Sequence, residues 1–254
     1  MSTVTQLLEV YHEFCKAVDN GKEIRVVFLD ISKAFDKVWH SGLIYKLKKS
    51  GIRGRLLAWF IDYLKHRMQR VVVNGQHSDW GEIKAGVPQG SVLGPLLFLI
   101  FIDDIIFAVT NCRIRLFADD TCLFIEVDNR DQAAVLIDED LININHWSQQ
   151  WLVNFSPSKT KSLVISNKPN ANLNPRVNLK GKVIEEVDSH IYLGVRFSRN
   201  LRWSHHINDI SIKARKKLNA MMPLKYKLDR KAISLAVPTT QNARTPGRHK
   251  MGNL

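Results

Sequence analysis

The sequence predicts an α+β fold built on an antiparallel sheet, rather than a doubly wound parallel one. Two observations carry this. Helix-period and strand-period segments alternate irregularly, without the steady strand–helix rhythm of a parallel sheet. At least two tight hairpins are also implied, one at Asn74-Gly75 and one through Ala118-Asp119-Asp120-Thr121. A chain of 254 residues makes one large domain or two small ones, since domains commonly hold about 100–200 residues.

The elements follow in order. Val4, Leu7, Leu8, Tyr11 and Cys15 recur at helical spacing, predicting a helix over 3–18 that Asn20-Gly21 ends. Ile24–Leu29 is a β-branched and aromatic run, a buried strand ending at Asp30. Ser41 is read as the N-cap of a helix reaching Lys49 and closed by Gly51. Leu56, Leu57, Phe60, Ile61 and Leu64 share one face of a helix over Arg53–His66. Val71-Val72-Val73 leads into the Asn74-Gly75 turn, Gly86–Gly90 is a loop, and Pro95–Phe107 is an apolar helix. Ile114–Phe117 and Cys122–Val127 form the second hairpin, with two carboxylates at its tip, and residues 131–151 an amphipathic helix. Leu163–Ile165 is a short strand, Asn170–Pro175 a linker, 177–197 short strands, and 203–222 a basic helix. After Leu235 the composition turns polar and predicts disorder.

The formal net charge of +13 points to a polyanionic partner. The excess is uneven: residues 196–254 hold fourteen Lys or Arg against two Asp or Glu, and the rest is nearly neutral. Three cysteines, Cys15, Cys112 and Cys122, lack C-x-x-C spacing. They exclude a disulfide framework and a cysteine zinc site, and they fit a reducing compartment. The longest apolar run, Val92–Ile102, stops at Asp103-Asp104 and is too short to span a bilayer, which needs about 20 residues. The opening MSTVTQLLEV has neither a basic n-region nor an apolar h-region. The expectation is an intracellular protein of cytoplasm or nucleus, neither secreted nor membrane-bound.

Asp30, Asp119 and Asp120 sit where strands meet turns. If the strand ending at Asp30 pairs beside the 114–127 hairpin, the three carboxylates converge. Their repulsion would then be relieved by hard cations such as Mg²⁺, and two such ions carry out phosphoryl transfer. Spacing alone does not bring them together, and Asp-Asp is also ordinary turn chemistry.

The segments taken together say more. Phe28-Leu29-Asp30-Ile31-Ser32-Lys33-Ala34-Phe35-Asp36-Lys37-Val38 resembles the first palm motif of reverse transcriptases. Gly86–Phe98 resembles the second, with Ala85 where serine is common. Leu116-Phe117-Ala118-Asp119-Asp120 is similar to the F/Y-x-D-D signature, Asn154–Thr160 (NFSPSKT) to the next motif, and Tyr192-Leu193-Gly194-Val195 to the primer-grip hairpin. Order and spacing follow the family, and the style is that of non-LTR, jockey-type retrotransposons. The resemblance covers residues 2–222.

That resemblance implies a right-hand polymerase with a palm of antiparallel sheet and packed helices, partial fingers and the start of a thumb. It implies partial fingers and palm over 1–168, primer-grip hairpin and start of thumb over 169–235, and a tail over 236–254. The activity implied is RNA-directed DNA polymerisation, attack of a primer 3′-OH on a deoxynucleotide with two Mg²⁺ ions, Mn²⁺ being an alternative. The partners implied are an RNA template, a DNA primer and deoxynucleotides. Asp30 and Asp119 would be metal ligands, with Asp120 beside them and the Ile31 carbonyl serving one ion. Phe35 would be a steric gate against a ribose 2′-OH, although a phenylalanine there also suits a core. Gln89 and Gly90 would line the nucleotide pocket, where glycine permits close approach and the amide hydrogen-bonds; a plain Pro-Gln-Gly turn is the alternative. Lys159 would protonate or neutralise the pyrophosphate leaving group, the alternative being an ordinary solvated lysine. Leu193 and Gly194 would hold the primer end, the alternative being a strand with a bulge at Gly194.

Two basic segments would touch phosphates, the alternative for the first being a solvated helix face. One is Lys37, Lys46, Lys48, Lys49, Arg53, Arg55, Lys65, Arg67 and Arg70; the other is Lys213, Arg215, Lys216 and Lys217 at the start of the thumb. The chain begins well inside the usual region of the family. Upstream fingers strands, an endonuclease domain and a Cys/His knuckle are not found, so an N-terminally truncated piece of an element is expected. The competing readings are a catalytically inactive remnant that binds nucleic acid, and a relic without a role.

Overall fold

Local sequence sets most boundaries. The computed structural model describes residues 2–168 and 174–222. The chain divides into two compact units, Met1–Trp203 and Ser204–Leu254. Most of the expected linker over 170–175 and the expected tail beyond Leu235 lie outside the described residues.

In the first unit the Ser2 hydroxyl accepts from the Thr5 N–H and starts α1 (Thr3–Asp19). After Gly21 comes β1 (Glu23–Leu29), buried along its whole length. A short tight helix at Phe35–Lys37 precedes α2 (His40–Lys49) and α3 (Gly54–Leu64). Four two-residue strands follow as nested ladders: β2 (Met68–Gln69), β3 (Val72–Val73), β4 (Gln76–His77) and β5 (Gly81–Glu82), with β3 paired to β4 and β2 to β5. Asn74 and Gly75 turn the inner ladder at φ +49° and +80°, the left-handed pair a two-residue hairpin requires.

The remaining elements are α4 (Leu93–Ile102), β6 (Arg113–Phe117), β7 (Asp120–Val127), α5 (Arg130–Gln150) and β8 (Lys161–Ile165). Then come β9 (Asn178–Leu179), β10 (Lys182–Val183), β11 (Glu185–Glu186), β12 (Ser189–Tyr192) and β13 (Val195–Ser198). The second unit contributes α6 (Ser204–Met221).

The main sheet has the order β11-β8-β1-β7-β6. β1 is antiparallel to both neighbours, and β6 to β7. The expectation of an antiparallel sheet needs one correction: β11 joins β8 in parallel, because the excursion through β9 and β10 returns the chain in the same sense as β8.

Alternation along β1 explains why all of it is buried. Val27 and Leu29 face one core, which α2, α4 and α5 close with Leu43, Leu47, Leu97, Phe101, Ile137, Leu141 and Ile144. Ile24, Val26 and Phe28 face a second core built with Val10 and Phe14 of α1 and with Tyr192 and Phe197 of the β12–β13 hairpin. Phe14 meets Phe124 and Phe197 edge-on, with centroids 5.3 and 5.8 Å apart.

Three expected boundaries move. α2 starts at His40 with Trp39 at the cap, and Ser41 lies in its first turn, because Val38 and Trp39 are already extended. The apolar helix begins at Leu93, where the Ser91 hydroxyl accepts from the Gly94 N–H at 2.9 Å and Pro95 occupies the first turn. It ends at Ile102, and Asp103–Ala108 tightens into a 3-10 helix, because the Asp104 carboxylate is held by Lys46 Nζ at 2.5 Å and by Trp147 Nε1 at 2.8 Å. The second hairpin is tighter than expected: only Ala118 and Asp119 form the turn, and Asp120 is already a strand residue paired with Phe117.

Candidate active site

Register does the assembling. The last pair between β1 and β7 is Leu29↔Thr121. One step further on each strand are Asp30 and Asp120, and Asp119 is the adjoining turn residue. The condition set by the sequence, that the strand ending at Asp30 lie beside the hairpin, is met.

The segment Asn154–Thr160 is zipped to the same strand end. Ser32 N–H donates to the Asn154 carbonyl at 2.8 Å and Ser156 N–H to the Asp30 carbonyl at 2.9 Å, with Ile31 opposite Phe155. These two bonds leave the Ile31 carbonyl out of the ladder. The Thr160 hydroxyl donates to the Ser156 carbonyl at 2.8 Å, closing a turn that brings Lys159 Nζ to 3.9 Å from Asp30 Oδ2. Lys159 stays largely in solvent.

One cavity of about 80 Å³ is lined by Asp30, Ile31, Asp119, Asp120 and Lys159, together with Phe28, Leu29, Thr121, His190 and Tyr192. Asp30 Oδ2 is shielded from solvent and has no hydrogen-bond partner. Asp120 is a solvent-exposed residue, yet its carboxyl faces this cavity. Partial burial raises its pKa above the usual carboxylate range, and the charges of Asp119 and then Asp30 add to the effect. Crowded carboxylates with an orphaned oxygen fit a hard cation. Among the described residues no three His, Cys, Asp or Glu side chains could hold a metal ion by themselves, so backbone carbonyl, water or substrate oxygens would have to complete any shell.

Other predicted residues lie elsewhere. Phe35 is half-buried with its ring stacked on Phe98, centroids 4.7 Å apart at 30°. Gln89 lines a larger groove of about 710 Å³, with Lys33, Asp36, Lys37, Arg67 and Gln69. Neither Phe35, Gln89 nor Gly90 lines the carboxylate cavity. Leu193 and Gly194 are the turn of the β12–β13 hairpin, at φ +48° and +83°, a tight turn rather than a bulge. Tyr192 and His190 of the same hairpin do reach the cavity. Lys46, counted among the phosphate-facing cations, is withdrawn from solvent. It is buried, donates to the Phe101 carbonyl and Asp104, and lies 3.7 Å from the Trp151 ring centroid.

The sequence places Tyr192 only in the primer-grip motif and does not single out His190. The His190 ring stacks on Phe28 at 4.3 Å and 21°. Burial, and then the charges of Lys161 and Arg196, lowers its pKa to about 4. The Tyr192 hydroxyl accepts from Gln6 Nε2 at 3.3 Å, and its phenol is raised chiefly by burial.

A central strand ending in an aspartate, beside a two-residue hairpin carrying two more, with helices packed beneath, defines the palm of a right-hand polymerase. Solved structures agree on the fold: a structure of apo telomerase from Candida tropicalis, truncated from its C-terminal domain, superposes with a TM-score of 0.52 over 78% of this chain and 39% of that one, at 12% identity. The chain belongs to the reverse transcriptase (RNA-dependent DNA polymerase) family, whose model matches residues 2–197. It is similar to the RNA-directed DNA polymerase from mobile element jockey of Drosophila melanogaster, 33% identical over 226 residues, covering 86% of this chain and 24% of that protein. A probable RNA-directed DNA polymerase from transposon BS of the same species is 30% identical over 238 residues, 91% of this chain and 26% of that one. The chain thus spans about a quarter of the length of these curated relatives.

Proposed function

We propose that this chain carries the catalytic palm of an RNA-directed DNA polymerase and transfers a deoxynucleotide to a primer 3′-OH with release of pyrophosphate. The observation behind this reading is the convergence of Asp30, Asp119, Asp120 and Lys159, from three separate segments, on one cavity. Asp30 and Asp119 would hold two Mg²⁺ ions, or Mn²⁺, with Asp120 beside them and the Ile31 carbonyl as a further donor. Bound there, divalent cations would supply activation of the attacking oxygen and neutralisation of phosphate charge.

The chain's own groups do the rest. Lys159 neutralises or protonates the departing pyrophosphate. Phe35, braced on Phe98, discriminates against a ribose 2′-OH. Gln89 and Gly90 line the nucleotide pocket, and the Leu193-Gly194 turn supports the primer end. The RNA template and DNA primer are held through phosphate contacts along the basic segments, in an intracellular setting. Among the described residues no helix is long and apolar enough to cross a membrane.

Primer extension on an RNA template with Mg²⁺ tests the reading. The full chain is expected to extend the primer, and Asp119→Asn to lower the rate by roughly a hundredfold or more, since cation stabilisation of transferring phosphate supplies several kcal/mol. Absence of extension by the unaltered chain, or undiminished extension by Asp119→Asn, overturns it. The inactive nucleic-acid binder is the second reading. It rests on the net charge of +13, and it predicts salt-sensitive binding that Asp119→Asn leaves intact, with no extension.

A further inference from the structure

Asp36 has no part in the chemistry described so far, yet its surroundings single it out. Among the described residues it is the only carboxylate lining the 710 Å³ groove, where Lys33, Lys37 and Arg67 supply three cations. A groove meant only for a polyanion would be better without it. Its carboxylate is engaged instead by Gln89, whose Nε2 donates to Asp36 Oδ1 at 2.7 Å.

That bond carries chemical information. A carboxylate can only accept, so the amide nitrogen must face Asp36 and Oε1 must face away. The backbone around the pair is fixed as well. Gly86 N–H donates to the Val38 carbonyl and Val87 N–H to the Phe35 carbonyl, both at 2.8 Å, and the His40 ring bonds the Gly86 carbonyl at 2.7 Å. Gly86 takes φ +94°, and a Cβ there would lie 2.7 Å from the Asp36 carbonyl oxygen. The loop that bears Gln89 is therefore clamped on the tight helix that bears Phe35 and Asp36.

We propose that Asp36 is a positioning residue for Gln89, holding the amide nitrogen so that Oε1 is presented as a hydrogen-bond acceptor to a donor of the incoming nucleotide. The donor is a sugar hydroxyl or a base N–H. This rests on the polymerase reading of the site. It makes Gln89 selective for nucleotide donors rather than acceptors, and it ties the orientation of Gln89 to the segment that carries Phe35.

Two measurements on the full chain test it. The first is the carboxamide spectrum of Gln89 in protein labelled with ¹⁵N-glutamine, its cross-peaks identified by their loss in Gln89→Ala. The peaks are expected to be displaced from the free-glutamine position in the unaltered chain, to return towards it in Asp36→Ala, and to lie between in Asp36→Asn, whose amide lets Gln89 turn either way. The second is the KM for deoxynucleotide in primer extension. Asp36→Ala is expected to raise it about tenfold, as loss of one charge-assisted hydrogen bond would, with kcat little changed. Asp36→Ala combined with Gln89→Ala is expected to be no worse than Gln89→Ala alone. Repeating the comparison with a dideoxynucleotide separates the donors: the KM effect disappears if the 3′-hydroxyl is the donor and persists if the base is. Additive losses, or an unchanged KM for both nucleotides, overturn the proposal. If the unaltered chain extends nothing, the polymerase reading falls, and the spectrum still decides on Asp36: peaks at the free position, unmoved by Asp36→Ala, overturn it.

Discussion

His190 stands in the wall of the carboxylate cavity with its ring against Phe28, where the cationic form of imidazole loses water and meets Lys161 and Arg196. The folded protein therefore binds this proton only near pH 4, whereas an unfolded chain binds it at about 6.5. Between these values the unfolded state holds more protons at this site, so the contribution of His190 to stability falls as pH drops from about 6.5 towards 4 and is constant above that window. His190→Phe keeps an aromatic ring against Phe28 and removes the titration. Its thermal midpoint is expected to fall less steeply than that of the unaltered chain across this range, and parallel curves would contradict the account. Nothing in the linear sequence marks His190, because its contact with Phe28 is made by a hairpin folding back over the sheet. Asp30, Asp119 and Asp120 were legible for the opposite reason: strand pairing at the Leu29↔Thr121 register converts their places at strand ends directly into proximity. Lys46 was misread as part of a basic stripe. A signal existed, since Gly42, Leu43, Lys46 and Leu47 form the buried face of α2, and a lysine at an apolar helical position asks for a partner such as Asp104.

At the scale of elements, the stop of α5 matters most to the site. Val153 N–H donates to the Ser148 carbonyl at 2.8 Å and Leu152 N–H to the Gln149 carbonyl at 3.4 Å, which is a Schellman closure. It sends the chain directly into Asn154 and Phe155, which pair with the strand end at Ile31. The residue at the left-handed position is Leu152, at φ +57° and exposed, where glycine is the usual occupant. A left-handed leucine costs about 1–2 kcal/mol, while glycine loses more backbone entropy on folding, roughly 0.5–1 kcal/mol. Leu152→Gly is therefore expected to stabilise the fold by about 0.5–1 kcal/mol, read as a higher urea midpoint at unchanged slope. A lower midpoint would mean that the leucine side chain packs in a way its exposure does not suggest. Helix centres and hairpins with Asn-Gly turns were legible because they depend on local periodicity and backbone freedom. The end of α4 was not, because Lys46 and Trp147, distant in sequence, take hold of Asp104.

At the scale of the whole molecule, charge and core are divided between the two units. Both hydrophobic clusters lie entirely within residues up to 201, whereas α6 buries none of its residues. Residues 204–254 carry eleven Lys or Arg against two Asp or Glu. The first unit, Met1–Trp203, is therefore expected to fold without the second, and a chain ended at Trp203 should still unfold in one cooperative transition. Its binding to nucleic acid should change in kind as well as in strength. Each phosphate neutralised on a duplex contributes about 0.9 to the slope of log affinity against log salt. If Lys213, Arg215, Lys216 and Lys217 of α6 all meet phosphates, the slope should shrink by roughly three to four. Fluorescence anisotropy of a labelled RNA–DNA duplex, titrated at several salt concentrations with the full and the shortened chain, gives both slopes. Equal slopes would show that the cations of the first unit alone meet phosphates. A shortened chain that unfolds without cooperativity would show instead that the two cores depend on the second unit.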